Sequence, residues 1–278
     1  MPVIAMTREM GSLGKDVAAG YAARTNSNVV YHEIIEPVAN KMRLRKSHVE
    51  RFIEGKAGLW ERLTTDRTSL SIYTAEETFR LLRDPATGVI RGWGAAHLLK
   101  DVPHVIRVRV CSPFETRVER MMERLGTDHR AAVEKEIRMS EEAHTAIVRR
   151  HFGVDWRDPQ HYHLVLCTEN LSVARCIDQI EFLAQQVPFQ RTAETERIVE
   201  NLALEASVRA ALRCDSRTSQ VSVVIQCADG IAKLLGMVPD ANAAQAANDV
   251  AASVSGVRRV QNELRATGVL RSRYLREA

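Results

Sequence analysis

The chain opens with Val3-Ile4-Ala5-Met6-Thr7-Arg8-Glu9-Met10-Gly11-Ser12-Leu13-Gly14-Lys15-Asp16, and a helical pattern follows directly. The apolar residues 3–6 predict a short strand, and the turn after them contains small residues and ends in Gly14-Lys15. A strand, a turn of this kind and a helix direct backbone N–H groups and a helix N-terminus towards one point, an arrangement that binds phosphate. The stretch therefore predicts a phosphate-binding loop and, with it, a nucleotide ligand.

The loop departs from the P-loop template G-x-x-x-x-G-K-[ST] at two positions, because Glu9 replaces Gly and Asp16 replaces Ser or Thr. Two interpretations follow: a variant phosphate-binding loop, or a plain strand-to-helix turn closed by a lysine. In the first, Lys15 reaches the β- and γ-phosphates of ATP. The backbone amides that would then donate to the phosphates are those of Gly11, Ser12, Leu13 and Gly14. Asp16 would ligate Mg²⁺ or only favour the helix N-terminus, and beside a triphosphate its charge predicts weak or metal-dependent ATP binding.

The bulk composition excludes several classes of protein. Hydrophobic residues make up 45% of the 278 residues and charged residues 27%, values typical of a soluble globular protein. The net charge of +4 is slight, and without a Lys/Arg-rich run the sequence does not favour nucleic acid as a partner. Neither a membrane span nor a signal peptide is expected, because charges interrupt the first 20 residues and no apolar stretch approaches ~18–20 residues.

The cysteine pattern indicates a reducing compartment. Five cysteines are scattered along the chain without a C-x-x-C pair: Cys111, Cys167, Cys176, Cys214 and Cys227. An odd number without metal-ligand spacing favours reduced thiols. We therefore expect a cytoplasmic protein.

Strand and helix signals alternate over the first ~185 residues, which is typical of an α/β fold with a parallel sheet. The predicted strands are 3–6, 29–31, 89–90 with its Gly-rich continuation, 104–110 and 162–167. The predicted helices are 15–23, 33–40, 47–53, 75–82, 113–125, 130–152 and 172–186. Ligands are expected at the carboxyl ends of such strands.

The composition changes near residue 187, and a second, smaller α/β domain is predicted after it. The expected elements are a helix over 194–212, strands over 220–227 and 231–238, a helix over 243–254 and a strand over 257–264. The dipeptide Asp229-Gly230 between two apolar runs predicts a tight hairpin turn. The division is thus a first domain at 1–187, a second at 191–267, and a basic tail at 268–278.

Residues 3–40 and 89–180 together resemble the cytidylate kinase-like family of P-loop nucleoside-monophosphate kinases. The pieces that carry the resemblance are residues 7–16, Tyr-His-Glu-Ile-Ile at 31–35, Gly-Trp-Gly-Ala at 92–95, Arg-Val-Glu-Arg-Met at 117–121, and Phe-Gly-Val-Asp-Trp-Arg-Asp-Pro at 152–159. The resemblance implies a three-layer α/β/α P-loop domain. It also implies transfer of the γ-phosphate of ATP, with Mg²⁺, to a nucleoside monophosphate such as CMP.

The same resemblance implies roles for individual residues. Besides the loop 11–16, Arg117 and Arg120 would bind the cofactor ATP, and Lys15, Arg149 and Arg150 would be catalytic. The residues implied for substrate binding are Arg8, Tyr31, His32, Gly92 and Gly94. For the helical arginines, a solvated helix face with acidic partners is the alternative.

Several positions depart from the family pattern. Trp93 stands where the family often has an arginine that holds substrate phosphate, and Arg91 is expected to face the other way along its strand. His32 replaces an aspartate, and His144 replaces an arginine of the long helix. Glu9, Asp16 and Trp93 favour an alternative function, a catalytically weak or inactive nucleotide-binding sensor or scaffold.

Residues 191–267 resemble a BON domain. The features that carry the resemblance are Val-Arg-Ala-Ala-Leu at 208–212, the Asp229-Gly230 turn leading to Leu-Leu-Gly-Met-Val at 234–238, and Val-Ser-Gly-Val-Arg-Arg-Val-Gln-Asn at 254–262. The resemblance implies a module that binds protein or lipid and through which a sensor could signal. A lipid- or envelope-associated adaptor acting through this module is a third hypothesis.

Overall fold

The structure is a computed structural model, and it describes residues 1–31, 33–53, 66–92 and 94–267. The chain divides into two compact units. The first holds the described residues of Met1–Thr65 and Leu81–Thr195, and the second holds those of Asp66–Arg80 and Glu196–Ala278.

The first unit is built on a five-stranded parallel sheet. Its strands are β1 (Val3–Arg8), β2 (Asn28–Val30), β3 (Thr87–Arg91), β4 (Val105–Cys111) and β5 (Leu164–Cys167). They lie in the order β2-β3-β1-β4-β5. Apolar side chains fill most of the buried positions of β1, as a sheet covered by helices requires, whereas the buried β3 also holds Thr87 and Arg91. Because β1 is central, the loop that follows it emerges between the carboxyl ends of β3 and β4.

The helices before residue 190 connect these strands. They are α1 (Gly14–Arg24), α2 (Ile35–Met42), α3 (Lys46–Ile53), α4 (Arg67–Leu82), α5 (Ala95–Leu98), α6 (Phe114–Leu125), α7 (Arg130–Phe152) and α8 (Val173–Ala184). The predicted α/β/α arrangement is therefore confirmed. Helix α4 begins well before the predicted residue 75 because the Asp66 carboxylate accepts the amides of Thr68 and Ser69, which caps an earlier start.

Helices α1 and α8 pack together against one face of the sheet. Ile4 and Met6 of β1 lie in this core with Tyr21 of α1 and Ile177 of α8. A Cβ on Gly20 would come within 2.5 Å of the Ile177 Cδ1, so the small residue allows the two helices to approach closely. This packing fixes the direction in which the N-terminus of α1 points.

The second unit contains the predicted smaller α/β domain. Its elements are α9 (Ala193–Cys214), β6 (Val224–Ala228), β7 (Ile231–Val238), α10 (Ala241–Ala252) and β8 (Arg259–Ala266). Strands β6 and β7 are antiparallel, and β8 is parallel to β7. Asp229 and Gly230 both have positive φ angles, 49° and 81°, so the predicted hairpin turn is confirmed.

The described residues 66–80 belong to the second unit, whereas the predicted first domain spans 1–187. Within that unit Arg213 of α9 donates from Nε to the Ser69 hydroxyl at 2.8 Å. The domain boundaries stay a prediction, and the predicted basic tail 268–278 lies outside the described residues. Across the part of the chain that the structure describes, no helix combines the length and apolar character that crossing a membrane requires.

Candidate functional site

The loop between β1 and α1 has a conformation that depends on its small residues. Gly11 has a φ of +80°, and a Cβ there would lie 2.7 Å from the backbone oxygen of Arg117. Leu13 has a φ of 58°, a left-handed conformation that is rare for a branched side chain. The strand therefore turns into α1 through two left-handed residues, and backbone strain is concentrated where a ligand is predicted.

The amide groups of this loop fall into two sets. The amide of Glu9 donates to the carbonyl oxygen of Val110 at 3.1 Å, and the amide of Ser12 donates to the carbonyl oxygen of Glu9 at 3.2 Å. Within the described residues, the remaining amides at the start of α1 have no acceptor: Gly11, Leu13, Gly14 and Lys15. Four N–H groups thus remain for a ligand, and Ser12, a predicted donor, uses its amide inside the loop.

The side chain of Ser12 also holds the loop in place. It is fully buried, and its hydroxyl donates to the carbonyl oxygens of Glu9 at 2.8 Å and Val110 at 3.0 Å. The hydroxyl of Thr168, after β5, donates to the carbonyl oxygen of Ser12 at 2.9 Å. The loop is therefore bonded to the carboxyl ends of both β4 and β5.

Glu9 replaces the template glycine and is buried beneath the loop. Its Oε1 lies 2.6 Å from Nη2 of Arg109, and its Oε2 lies 3.4 Å from Nε of Arg117. Its Oε2 also accepts the amide of Ser112 at 3.2 Å. All three side chains are largely buried, with 9–12% exposed for Glu9 and Arg109 and 6% for Arg117. Glu9 therefore connects the loop to β4 and to α6. We call Glu9, Arg109 and Arg117 the Glu9 cluster.

Arg117 has further partners that occupy its guanidinium. Its Nη1 lies 2.6 Å from Oε1 of Glu141 and donates to the carbonyl oxygen of Met10 at 3.3 Å. Its Nε donates to the carbonyl oxygen of Ser112 at 2.9 Å. These bonds connect Arg117 to the backbone of the loop and to α7. Its role in cofactor binding stays a prediction.

A cavity of about 480 Å³ opens over the loop and the N-terminus of α1. It is lined by Arg8, Gly11, Leu13, Gly14, Lys15, Asp16, Arg120, Met121, Glu123 and Arg124. Four cationic side chains face two carboxylates here, which leaves a net charge of +2 (four minus two). The cavity is open, and together with the idle amides it has the chemistry of an anion-binding site.

The predicted residues around the cavity differ in how firmly they are held. Lys15 and Asp16 are exposed at the start of α1, and neither side chain forms an ion pair within the described ranges. Arg120 is fixed by Thr168, whose carbonyl oxygen accepts from Nη2 at 2.7 Å and whose hydroxyl accepts from Nη1 at 3.1 Å. Lys15 is thus free to follow a ligand, whereas Arg120 is held in a fixed position.

Arg149 and Arg150 lie in the last turn of α7 and are exposed. They are not among the residues that line this cavity. The structure therefore brings Lys15, Asp16, Arg8 and Arg120 together but leaves the two predicted catalytic arginines apart from them.

The predicted substrate residues lie beside the carboxyl end of β3. A Cβ on Gly92 would lie 2.9 Å from the ring of Tyr31, and one on Gly94 would lie 2.5 Å from the ring of Phe152. Both glycines have positive φ angles, and they let aromatic rings approach the backbone. His32 and Trp93, which the sequence analysis also named, lie outside the described residues.

Arg91 is oriented towards Tyr31, and the expectation that it faces the other way from position 93 stays a prediction because Trp93 lies outside the described residues. Its guanidinium lies 4.2 Å from the centre of the Tyr31 ring. The register of the sheet explains this orientation, since Arg91 pairs with Met6 and shares a face with it and with Arg8. Burial, followed by the charge of Arg91, lowers the pKa of Arg8.

A cluster of rings lies near this end of the sheet. His97 packs against Phe152, His161 and Tyr162, with ring centroids 5.1–6.0 Å apart. His144 packs edge-on against Trp156 at 4.5 Å, and Trp156 and Tyr162 are both buried. Burial lowers the pKa of His97 and of His144 to about 4, so both rings are neutral at pH 7.

Sequence reasoning missed Arg124 and the role of Glu9. Arg124 lines the cavity one helical turn after Arg120, and this i, i+4 spacing is the signal that could have found it. The partner Arg109 lies 100 residues from Glu9, so no local pattern reveals that pair. The described residues contain no cluster of three or more His, Cys, Asp or Glu side chains suited to a metal ion.

A glycine-containing loop at the N-terminus of a helix, emerging from the central strand of a parallel β2-β3-β1-β4-β5 sheet, defines a kinase-like P-loop fold. The family model agrees. The chain belongs to the cytidylate kinase-like family, whose model matches residues 3–170. The BON domain model matches residues 201–268, as the sequence analysis expected.

Solved structures match about two thirds of this chain. A crystal structure of an uncharacterized protein from Eubacterium ventriosum ATCC 27560 matches with 19% identity and a TM-score of 0.52, covering 67% of this chain and 100% of that chain. Shikimate kinase from Bacteroides thetaiotaomicron matches with 10% identity and a TM-score of 0.42, covering 66% and 99%. Shikimate kinase from Acinetobacter baumannii, in complex with shikimate, matches with 15% identity and a TM-score of 0.40, covering 67% and 96%. A search among curated proteins finds no significant match.

The Glu9 cluster yields a prediction that tests whether the Glu9 carboxylate stabilises the fold or is only a departure from the P-loop template. Glu9→Gly restores the template residue but leaves Arg109 and Arg117 with one carboxylate fewer in a buried place. We expect the free energy of unfolding to fall by about 3–5 kcal/mol, as when one partner of a buried ion pair is removed. Urea denaturation measures this loss. An unchanged midpoint in Glu9→Gly would show that the carboxylate is dispensable.

The neutral histidines predict how stability depends on pH. The pKa of folded His97 is about 4, below its ordinary value of 6.5. Its contribution to the free energy of unfolding is therefore complete above pH 6.5 and is lost as the pH falls through 4. We expect His97→Phe to lose less free energy of unfolding than the wild type between pH 7 and pH 4, by on the order of 1–3 kcal/mol. Thermal unfolding at several pH values measures it, with the exposed His129→Phe as the matched control. Equal slopes in wild type and His97→Phe would contradict the assignment.

Proposed function

We propose that the first domain transfers the γ-phosphate of ATP, with Mg²⁺, to a nucleoside monophosphate such as CMP. The observation that carries this proposal is the cavity over the loop, where idle amides and four cationic side chains converge. Phosphoryl transfer needs positioned positive charge and N–H donors more than it needs covalent chemistry. Membership of the cytidylate kinase-like family supports the choice of reaction and of acceptor class.

Each residue of the cavity has a role in this proposal. Gly11, Leu13, Gly14 and Lys15 donate backbone N–H groups to the phosphates of ATP, and the Lys15 ammonium neutralises the β- and γ-phosphates. Arg120, held by Thr168, presents a fixed positive charge to the transferring group. Arg124 adds a second, more exposed charge from the next turn of α6.

The residues fit a magnesium ion that is shared with the nucleotide. Mg²⁺ in kinase sites keeps several waters and uses one or two carboxylates together with substrate phosphates, and Asp16 and Glu123 supply carboxylates at the cavity. Asp16 would hold the ion. When bound, the ion offsets the like charge between Asp16 and the phosphates and polarises the group being transferred.

The acceptor would lie towards Arg8, Tyr31, Gly92 and Gly94, on the β3 side of the loop. Arg8 lines the donor cavity and also interacts with Tyr31, so it stands between the two substrates. Arg149 and Arg150 would have to approach from the exposed end of α7, as a closing helix does in many kinases. A cytoplasmic location is part of the proposal.

The position of these two arginines also favours a second candidate function. Because Arg149 and Arg150 do not line the cavity and Asp16 adds negative charge, the domain would bind nucleotide without turning it over. A protein or lipid bound to the BON domain would then respond to whether nucleotide occupies the first domain. The two functions differ in one measurable property, which is turnover.

The test is a coupled assay of the full chain with ATP, Mg²⁺ and the four nucleoside monophosphates. We expect Lys15→Ala to lower kcat/KM by about 10²–10³-fold, since a charge that stabilises the transferring group is lost. Lys135→Ala is the matched control, because Lys135 is an exposed lysine of α7 away from the cavity. Turnover by Lys15→Ala at the wild-type rate would overturn the mechanism. Calorimetric binding of ATP without turnover for any acceptor would select the sensor instead.

A further inference from the structure

The end of β3 carries an arginine, Arg91, with two polar atoms that lack a partner among the described residues. Arg91 is 8% exposed, and its Nε and Nη1 are buried and donate to no acceptor within those residues. Among the residues that the structure describes, Arg91 forms no ion pair. A buried guanidinium in this state costs free energy of folding, because its N–H groups have lost water without gaining a partner.

The charges around Arg91 increase that cost. Arg8 lies on the same face of the sheet, two residues after Met6, the register partner of Arg91. Burial lowers the pKa of Arg91, while the charges of Tyr31 and Glu33 act in the opposite direction. Glu33 is already engaged, since its Oε2 accepts the amide of Tyr31 at 2.6 Å. Two cations therefore share this face, and no carboxylate of the described residues is bonded to either.

The guanidinium is nevertheless held in a defined place. It lies over the Tyr31 ring at 4.2 Å, and Gly92 allows that ring to sit against the backbone. A planar guanidinium stacked on an aromatic ring keeps its N–H groups in a fixed fork, which suits the oxygens of a phosphate. The guanidinium of Arg91 is therefore held over the ring, and no anion of the described residues is bonded to it.

We propose that Arg91, together with Arg8, binds the phosphate of the acceptor monophosphate, an assignment that rests on the proposed kinase function. Arg8 lines the donor cavity and Arg91 does not. The pair therefore extends the positive charge from the donor site to the β3 side of the loop. There the acceptor phosphate offers its oxygen to the γ-phosphate beside Arg8.

The test compares Arg91→Gln with Arg83→Gln in the full chain. Arg83 is an exposed arginine that precedes β3, so its replacement is the matched control. Calorimetry measures the affinity for AMP, CMP, GMP and UMP, and for a non-hydrolysable ATP analogue. We expect Arg91→Gln to weaken the best monophosphate about 10–100-fold and to leave the affinity for the ATP analogue within about twofold of wild type.

Thermal unfolding of the same variants separates binding from folding. Because the buried N–H groups have no partners, we expect Arg91→Gln to keep or raise the Tm of the wild type. A lowered Tm together with lost binding would make Arg91 a structural residue and overturn the proposal. Wild-type affinity for the monophosphate in Arg91→Gln would overturn it as well, as would a wild type that binds none of the four.

Failure of the kinase function gives a different result. If the wild type binds a monophosphate through Arg91 but transfers no phosphate, the anion site stands and the catalytic proposal falls. If Lys15→Ala abolishes turnover while Arg91→Gln keeps full monophosphate affinity, the kinase function stands and Arg91 is not its acceptor ligand.

Discussion

The buried carboxylate of Glu9, set between Arg109 and Arg117, is the interaction on which the rest of the site depends. It connects the end of β1 to β4 and to the start of α6, and it does so directly beneath the loop. Because charges in a buried place need partners, the three side chains fix one another's positions. The backbone above them is then set, with Gly11 packed on Arg117 and four amides that have no acceptor among the described residues. Glu9, which departs from the P-loop template, therefore helps to hold the loop in place.

The arginines of the first unit divide by depth into two kinds. Arg117 is buried and bonded to carboxylates and carbonyl oxygens, so its charge is neutralised inside the fold. Arg120 and Arg124, three and seven residues later, face the cavity on the same side of α6. A single helix thus supplies both the support of the loop and the charge above it. This explains how a chain with a net charge of only +4 can build a site with a net positive charge.

Much of the fold could be predicted from sequence because its signals are local. The alternation of strands and helices, the bounds of the long helix 130–152 and the Asp229-Gly230 hairpin all follow from patterns within a few residues. The assignment of residues 66–80 to the second unit could not, since it depends on a bond between Ser69 and Arg213. The same limit applies to the site. Lys15 and Asp16 were predicted from the loop sequence and Arg120 from the family resemblance, whereas the partner of Glu9 lies 100 residues away. The orientation of Arg91 followed only from the register of β3 against β1.

The Glu9 cluster also constrains how this lineage can change. Side chains that contact one another in a buried network do not contribute additively, so the effect of altering one depends on the other two. A glycine at position 9 would leave Arg109 without its buried carboxylate partner, so the acid and that arginine are expected to depend on each other. A change to the common loop sequence would therefore need a second change at Arg109 to avoid an unpaired buried charge.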